Sequence, residues 1–445
     1  MRSSCMVTPS KPTPNDLLSF SKMDLMVPMN HFPPVIFFYK PNHNNNNNLT
    51  NQSAAVETIK NSLKRILVHY YPFSGRFRRI NIKGDQQLVL ECNAMGVQFF
   101  EADYLNVKMS DYIELFDPDK ATKKLVPHVD YSIPIEEWPL MLVQVTKFSC
   151  GGLSLCLLIS HTLVDGVAMY NFIKLWTKLG SRFDHSGFKA PPLLLGCSNA
   201  TEVLQKETTP VVMKVFAEQI KKLKKEVNEE NTHLHRPYST YEVVAAHIWR
   251  CACMARQGDK DQPTVIRIVA DIRNRLKPKI PKNFVGNVVL PVLTPTCLYG
   301  EILSNRLSYT AQKIREATVV LTDEYIRSAL DYAEKMEAKQ VHALGYESKG
   351  GYFYGNPNLS VGSVIGVPIY DVDFGWGKPV FYSPGNLGSQ DGKLFMAPSP
   401  DGDGSLFIHL RFQTQYFQAF KEFFYGVDQK DDIIYHTAQS NQARL

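Results

Sequence analysis

Apolar positions recur along this chain with two different periods. Ile36-Phe37-Phe38-Tyr39 is a short continuous apolar run and reads as a strand. From there the period lengthens. Val56, Ile59, Leu63, Ile66, Leu67 and Tyr70 recur at helical spacing, with Ser53 placed to cap the helix and Tyr71-Pro72-Phe73-Ser74-Gly75-Arg76 ending it. The asparagine run from Asn44 to Asn48 between them reads as a loop tip. Leu142 to Phe148 alternates, as a half-buried strand does, and Gly151-Gly152 turns it into Leu153 to Ile159, a continuous run typical of a fully buried strand. Ser160-His161-Thr162-Leu163-Val164-Asp165-Gly166 follows at once, and Gly166 opens a helix with Met169, Phe172, Ile173, Trp176 and Leu179 on one face.

Residues 181 to 235 change character: they are polar, carry Pro191-Pro192 and end in a lysine-rich helical pattern on Phe216, Ile220, Leu223 and Val227. Beyond them Ser239 to Met254 reads as a buried helix, Val265 to Ala270 as a strand, and Leu307 to about Met336 as a long helical region. Lys393 to Ala397 and Ser405 to Phe412 read as strands, with a last helix near Phe417 to Phe424. This divides the chain into an N-terminal domain over 1–190, a crossover linker over 191–235 and a C-terminal domain over 236–445. A length of 445 residues suits two such domains. Strands and helices mix without a regular βαβ period, so the expected class is α/β with mixed sheets.

Composition excludes more than it selects. Hydrophobic residues make up 44% and charged residues 21%, which is ordinary for a globular protein with a large core. Leu153 to Ile159 is far short of the ~20 apolar residues that span a bilayer. The N-terminus carries prolines and lysines where an export signal has its apolar core. Net charge is +6, yet the one dense basic run, Lys221, Lys222, Lys224 and Lys225, lies on the polar face of a helix, so no nucleic-acid stripe is present. Cys5, Cys92, Cys150, Cys156, Cys197, Cys251, Cys253 and Cys297 are scattered without zinc spacing. Free, buried thiols in the cytosol are the expectation.

Two clusters could carry chemistry. His161 leaves the end of a buried strand, where the backbone is held and the ring can project into a cleft; Asp165 follows four residues later. A neutral imidazole suits a general base near neutral pH, and the aspartate could orient the ring or pin the loop by pairing with an arginine. By spacing alone, a structural histidine fits as well. The second cluster is Asp373-Phe374-Gly375-Trp376-Gly377. Its Asp-Phe-Gly lacks the glycine-rich and His-Arg-Asp loops of kinases, and a structural turn anchored by the indole is the simpler reading. There is no Gly-x-Gly-x-x-Gly or P-loop.

Together these motifs resemble the plant BAHD acyltransferases. The similarity runs in order through Tyr71 to Arg76, His161 to Gly166, Ser239-Thr-Tyr-Glu242 with His247-Ile-Trp-Arg250, Asp271-Ile-Arg273-Asn-Arg275-Leu276, Phe284-Val-Gly-Asn287 and Asp373 to Gly377. It implies two similar mixed-sheet α/β domains of the CoA-dependent, chloramphenicol acetyltransferase-like type, with a channel between them. By that resemblance His161 is the general base of an acyl-CoA-dependent acyltransferase. Asp165 points away and pairs with an arginine, Arg273 first and Arg275 second. Gly166, Asp373, Gly375, Trp376 and Gly377 support the site structurally. Acyl-CoA is a co-substrate; no metal or bound cofactor is implied, and a cytoplasmic monomer is expected. A non-catalytic relative would lack His161, Asp165 or the Asp373 loop, and all are present.

Within the family, Arg236 to Glu242, Lys313 to Ala317, Thr322 to Tyr325, Gly355 to Leu359 and Pro400 to Ser405 look closest to hydroxycinnamoyltransferases, especially those acting on spermidine. The resemblance therefore implies transfer of a hydroxycinnamoyl group from its CoA thioester to an amine, spermidine first. O-acylation of shikimate, quinate or another alcohol is the alternative. Ser363 and Val364 stand where this group carries Ser-Trp in the acceptor pocket, and Lys349-Gly350 stand at the position of the Arg-Gly by which shikimate-acylating relatives hold the acceptor carboxylate. Pro33-Pro34-Val35 replaces the Thr-Pro-Ser of shikimate enzymes.

Overall fold

The apolar run of the first strand becomes Val35–Tyr39, buried at every position, in a computed structural model of the chain. The structure describes residues 3–27, 29–41, 48–82, 85–114, 116–180, 207–229, 236–281, 283–336, 347–348, 351–352, 355–385, 387–388 and 390–426. Asn44 to Asn47, Cys197 and Lys349-Gly350 lie outside the described residues.

Among the described residues, two six-stranded mixed sheets organise the molecule. The first runs Ser3–Val7, Val97–Tyr104, Met141–Phe148, Leu153–Ile159, Val35–Tyr39, Phe381–Ser383. It is antiparallel except where Val97–Tyr104 meets Met141–Phe148. The second runs Val289–Leu293, Ile266–Asp271, Leu359–Ser363, Lys393–Pro398, Leu406–Gln413, Thr208–Val215. Its central strand Leu359–Ser363 is parallel to both neighbours.

Each sheet covers one face with helices. Phe37, Val143 and Leu157 pack with Ile59 and Leu63 of Asn48–Ile66 and with Phe172 and Trp176 of Gly166–Gly180. Ile268, Val361, Leu394 and Leu410 pack with Val244 and Ile248 of Thr240–Arg256 and with Ile314 of Leu307–Val319. The other faces turn towards each other, with the short helices Met109–Glu114 and Pro118–Leu125 packed into the space between them through Met109, Ala121 and Leu125. There Phe38, Phe116, Phe381 and Phe407 form a shared cluster, Phe38 lying 5.7 Å from Phe381 and Phe381 5.7 Å from Phe407. Burying one such ring is worth about 1.5–3 kcal/mol, so the cluster binds the two sheets firmly.

Several expectations shift. The alternation in Met141–Phe148 predicted a strand with one wet face, but all eight positions are buried because the second sheet side is covered too. Gln144 there is satisfied by donating to the Lys124 carbonyl and to Thr146 Oγ1. The first long helix begins at Asn48, not after Ser53, because Gln52 donates to the carbonyls of Phe148 and Gly152 and ties the early turns to the hairpin. The long region from Leu307 is two helices, Leu307–Val319 and Asp323–Glu334, separated where Thr322 Oγ1 accepts from the Tyr325 amide as an N-cap. The stretch expected as linker contains Thr208–Val215, an edge strand of the second sheet, and Ala217–Glu229, whose Ile220, Leu223 and Val227 enter the second core. Conversely, Phe381–Ser383 belongs to the first sheet although it lies far along the chain. Cys5 is exposed and Cys150 half-buried, while Cys92, Cys156, Cys251, Cys253 and Cys297 are buried free thiols. No helix among the described residues is long and apolar enough to cross a membrane.

Candidate active site

The hairpin Met141–Phe148 and Leu153–Ile159 ends at the seam between the sheets, and the chain leaving it places His161 there. Its backbone is held on both sides: the His161 amide donates to the Asn30 carbonyl at 3.1 Å, and Asn287 Nδ2 donates to the His161 carbonyl at 2.8 Å. The Phe32 ring meets the imidazole edge-on, 4.7 Å between centroids. Nδ1 lies 3.1 Å from the Val164 carbonyl oxygen, which only accepts, so Nδ1 carries the proton. Nε2 makes no hydrogen bond to any described residue and keeps its lone pair. Burial, chiefly, and the nearby Lys393 ammonium push the ring down to about 4, against the opposing pull of Asp165. The imidazole is therefore neutral near pH 7, in the tautomer a base requires.

Asp165 does not touch the ring. Its carboxylate takes a bidentate pair from Arg273, 2.7 Å at Oδ2 and 2.9 Å at Oδ1, with both side chains almost fully enclosed. Oδ1 also accepts from the Ala168 amide and caps Gly166–Gly180, while Oδ2 accepts from the Val288 amide. One carboxylate thus fastens the His161 loop, the helix behind it and the second half of the chain. Arg273 is steadied in turn by Asp271 at 3.2 Å. Arg275, the second candidate, instead donates to the Thr318 and Leu321 carbonyls. A Cβ on Gly166 would meet only Phe32, at 3.6 Å, so that position is not sterically forced.

The Asp373 loop lies elsewhere. Asp373 Oδ1 accepts from the amides of Gly375 and Gly377, whose φ angles of +103° and +115° exclude side chains. Phe374 stacks on Trp376 and meets the edge of Trp176, which lies ten residues, about 15 Å, along the helix from Gly166. The Trp376 ring also faces Tyr39, whose hydroxyl donates to the Val372 carbonyl. This loop clamps the helix and the first sheet; it does not reach His161.

Ser363 and Val364 end the strand Leu359–Ser363. Ser363 shares its alternation with Leu359 and Val361, which face the helices, and its Oγ accepts from the Ile365 amide. Val364 is buried in the first core. Ser360 and Gly362 are the residues of this strand on the seam side, and a Cβ on Gly362 would come 2.9 Å from the Phe395 ring.

Four residues at the site escaped the sequence reading. Asp24, fully buried, accepts from Asn287 N and Nδ2 and from Ser21, and so holds the asparagine that braces His161. Burial pushes its carboxyl up to about 8. Asn287 was visible only as part of a motif. Lys393 and His409 reach the seam from neighbouring strands of the second sheet. A fixed-register pairing over such sequence distances leaves no local signal.

Comparison with known proteins agrees with this geometry. The family model described as "Transferase family" matches residues 1–186 and 181–426. The chain is 38% identical to a hydroxycinnamoyl-CoA:piscidic acid hydroxycinnamoyltransferase of Actaea racemosa, over 96% of this chain and 99% of the relative. It is 33% identical, over the same shares, to a shikimate O-hydroxycinnamoyltransferase of Nicotiana tabacum. Among solved structures, vinorine synthase superposes with a TM-score of 0.72 at 19% identity, covering 94% of this chain and 95% of that one. With fold, motif order and relatives in agreement, this chain belongs to the BAHD transferase family of acyl-CoA-dependent acyltransferases.

Proposed function

We propose that this enzyme transfers a hydroxycinnamoyl group from its CoA thioester to a hydroxyl of a small acceptor, with His161 as the general base. The observation that carries this is the His161 ring itself: Nδ1–H is committed to the Val164 carbonyl and Nε2 is left with a lone pair at the seam. In the reaction Nε2 takes the proton from the acceptor hydroxyl as its oxygen attacks the thioester carbonyl. The tetrahedral oxyanion collapses, the C–S bond breaks, and the imidazolium returns its proton to the departing thiolate. The acyl-CoA and the acceptor meet along the seam between the two sheets, on opposite sides of His161.

The named acceptors of the two relatives are hydroxy acids, which favours O-acylation of a hydroxylated acid over the spermidine first expected. The test is product mass spectrometry from coumaroyl-CoA with shikimate, quinate, piscidic acid and spermidine, with His161→Ala alongside the parent enzyme. A coumaroyl ester that falls by about 10²–10⁴ in rate in the variant supports the reading. Coumaroyl spermidine as the only product would reverse the acceptor choice, and an undiminished His161→Ala enzyme would remove the base.

A further inference from the structure

The second sheet presents a row of cations to the seam. Register places Arg267, Ser360, Lys393 and Arg411 side by side across four strands. Their neighbours Ile266, Ile268, Leu359, Val361, Leu394 and Leu410 face the helices, so by alternation this row faces the first sheet. The next row on the same face holds Gly362, Phe395 and His409.

The charges in that row are answered unequally. Arg411 Nη1 meets the Asp119 carboxylate at 3.1 and 3.3 Å. Lys393 has no hydrogen bond or ion pair to any described residue, and the only charge that perturbs it is another cation, Arg267. Its own charge is felt at the His161 ring. Beside it His409, 2% exposed, has neither ring nitrogen hydrogen-bonded among the described residues. Burial keeps that ring neutral, so it supplies a hydrogen bond but no charge. An ammonium set beside a guanidinium, with no carboxylate of the described residues bonded to it, is costly unless an anion completes it when the site is filled.

We propose that Lys393, with Arg267 beside it and His409 as a neutral hydrogen-bonding neighbour, binds a carboxylate of the acceptor and so selects an anionic hydroxy acid whose hydroxyl then lies at His161 Nε2. This rests on the reading of His161 as the base. The alternative anion is a phosphate of CoA, but the pantetheine arm separates those phosphates from the thioester, whereas Lys393 lies within electrostatic reach of the reacting centre. Lys393 itself is pushed down to about 8 by burial, so it stays mostly cationic at pH 7 and releases its anion as pH rises beyond that value.

The experiment compares wild type, Lys393→Met, Lys393→Arg and His161→Ala with coumaroyl-CoA and shikimate, quinate, piscidic acid, methyl shikimate and spermidine. Calorimetric titration of each protein with the three acids runs in parallel. In Lys393→Met, KM for the preferred acid should rise about 10- to 100-fold, the span of a hydrogen bond to a charged group, with kcat and the KM for coumaroyl-CoA nearly unchanged. Lys393→Arg should recover most of the loss. The methyl ester should be a poor substrate for wild type and no poorer for Lys393→Met. The melting temperature of Lys393→Met should equal or exceed that of wild type, because an unanswered charge is removed. A rise in the KM for coumaroyl-CoA instead would assign the anion to CoA and overturn the proposal. So would equal loss with acid and ester, or acylation of spermidine with no acid bound in the titration. Activity retained by His161→Ala would fail the underlying reading instead, whatever Lys393 does.

Discussion

At His161 the environment, more than the residue type, decides the chemistry. The charges that act on the ring are Asp165 on its own loop and Lys393 on the second sheet, with Asp24 and Arg273 one bond further out. Burial outweighs them and lowers the ring to about 4, so the base form persists well below the usual histidine midpoint of about 6.5. Activity lost on acidification should therefore follow a group with a midpoint of about 4, and Lys393→Met should move that limb upward. A limb at 6.5 or above in the wild-type kcat/KM profile would contradict this. Asp165 makes the contrasting case. Asp165→Ala strands the Arg273 guanidinium and removes a helix cap, which should cost about 3–5 kcal/mol in urea unfolding, whereas His161→Ala should unfold like wild type. The His161, Asp165 and Arg273 trio was legible because the motif is contiguous and its arginine lies in a second contiguous motif. Lys393 and His409 were not, because neither has any meaning until four strands of the second sheet are laid in order.

Among elements, those that announced themselves carry their partners nearby. The Thr240–Arg256 helix was readable as a buried helix, and the structure shows Ser239 and Glu242 forming a capping box at its start, with Glu242 held by Arg315. The edge strand Thr208–Val215 was not readable, since Thr-Thr-Pro followed by a mixed run acquires its extended form only by pairing with Leu406–Gln413. The Asp373 loop shows how a motif can look catalytic while serving an element. Because Phe374 is buried between Trp376 and Trp176, Phe374→Ala should cost about 3–5 kcal/mol by calorimetry or denaturant. The folded fraction should keep its turnover number, and a specific fall in kcat at full folding would show that the loop does more than clamp.

For the whole molecule, sequence order and spatial order part company. The first sheet is closed by Phe381–Ser383, the Asp165–Arg273 pair crosses the seam, and the Phe38 cluster draws on both sheets. Interlocking of this kind predicts that the halves do not melt separately. Variants that report through Trp176 in the first half or Trp249 in the second should unfold at the same denaturant midpoint. Two separated transitions would show that the seam is weaker than its contacts.

The borrowed edge strand also bears on how such enzymes can be recombined. If the first sheet is treated as a heritable unit, that unit is not one stretch of the gene: it needs the early chain together with the short Phe381–Ser383 insert that pairs with Phe38, Phe37 and Ile36. A chimera joined once between the halves of two relatives would give each first sheet a foreign sixth strand and mismatch the Phe38–Phe381 contact. Shuffling that carries 381–383 along with the N-terminal parent should yield folded hybrids far more often, which makes acceptor and donor specificities exchangeable only through a design with three junctions, one between the halves and one on either side of that strand.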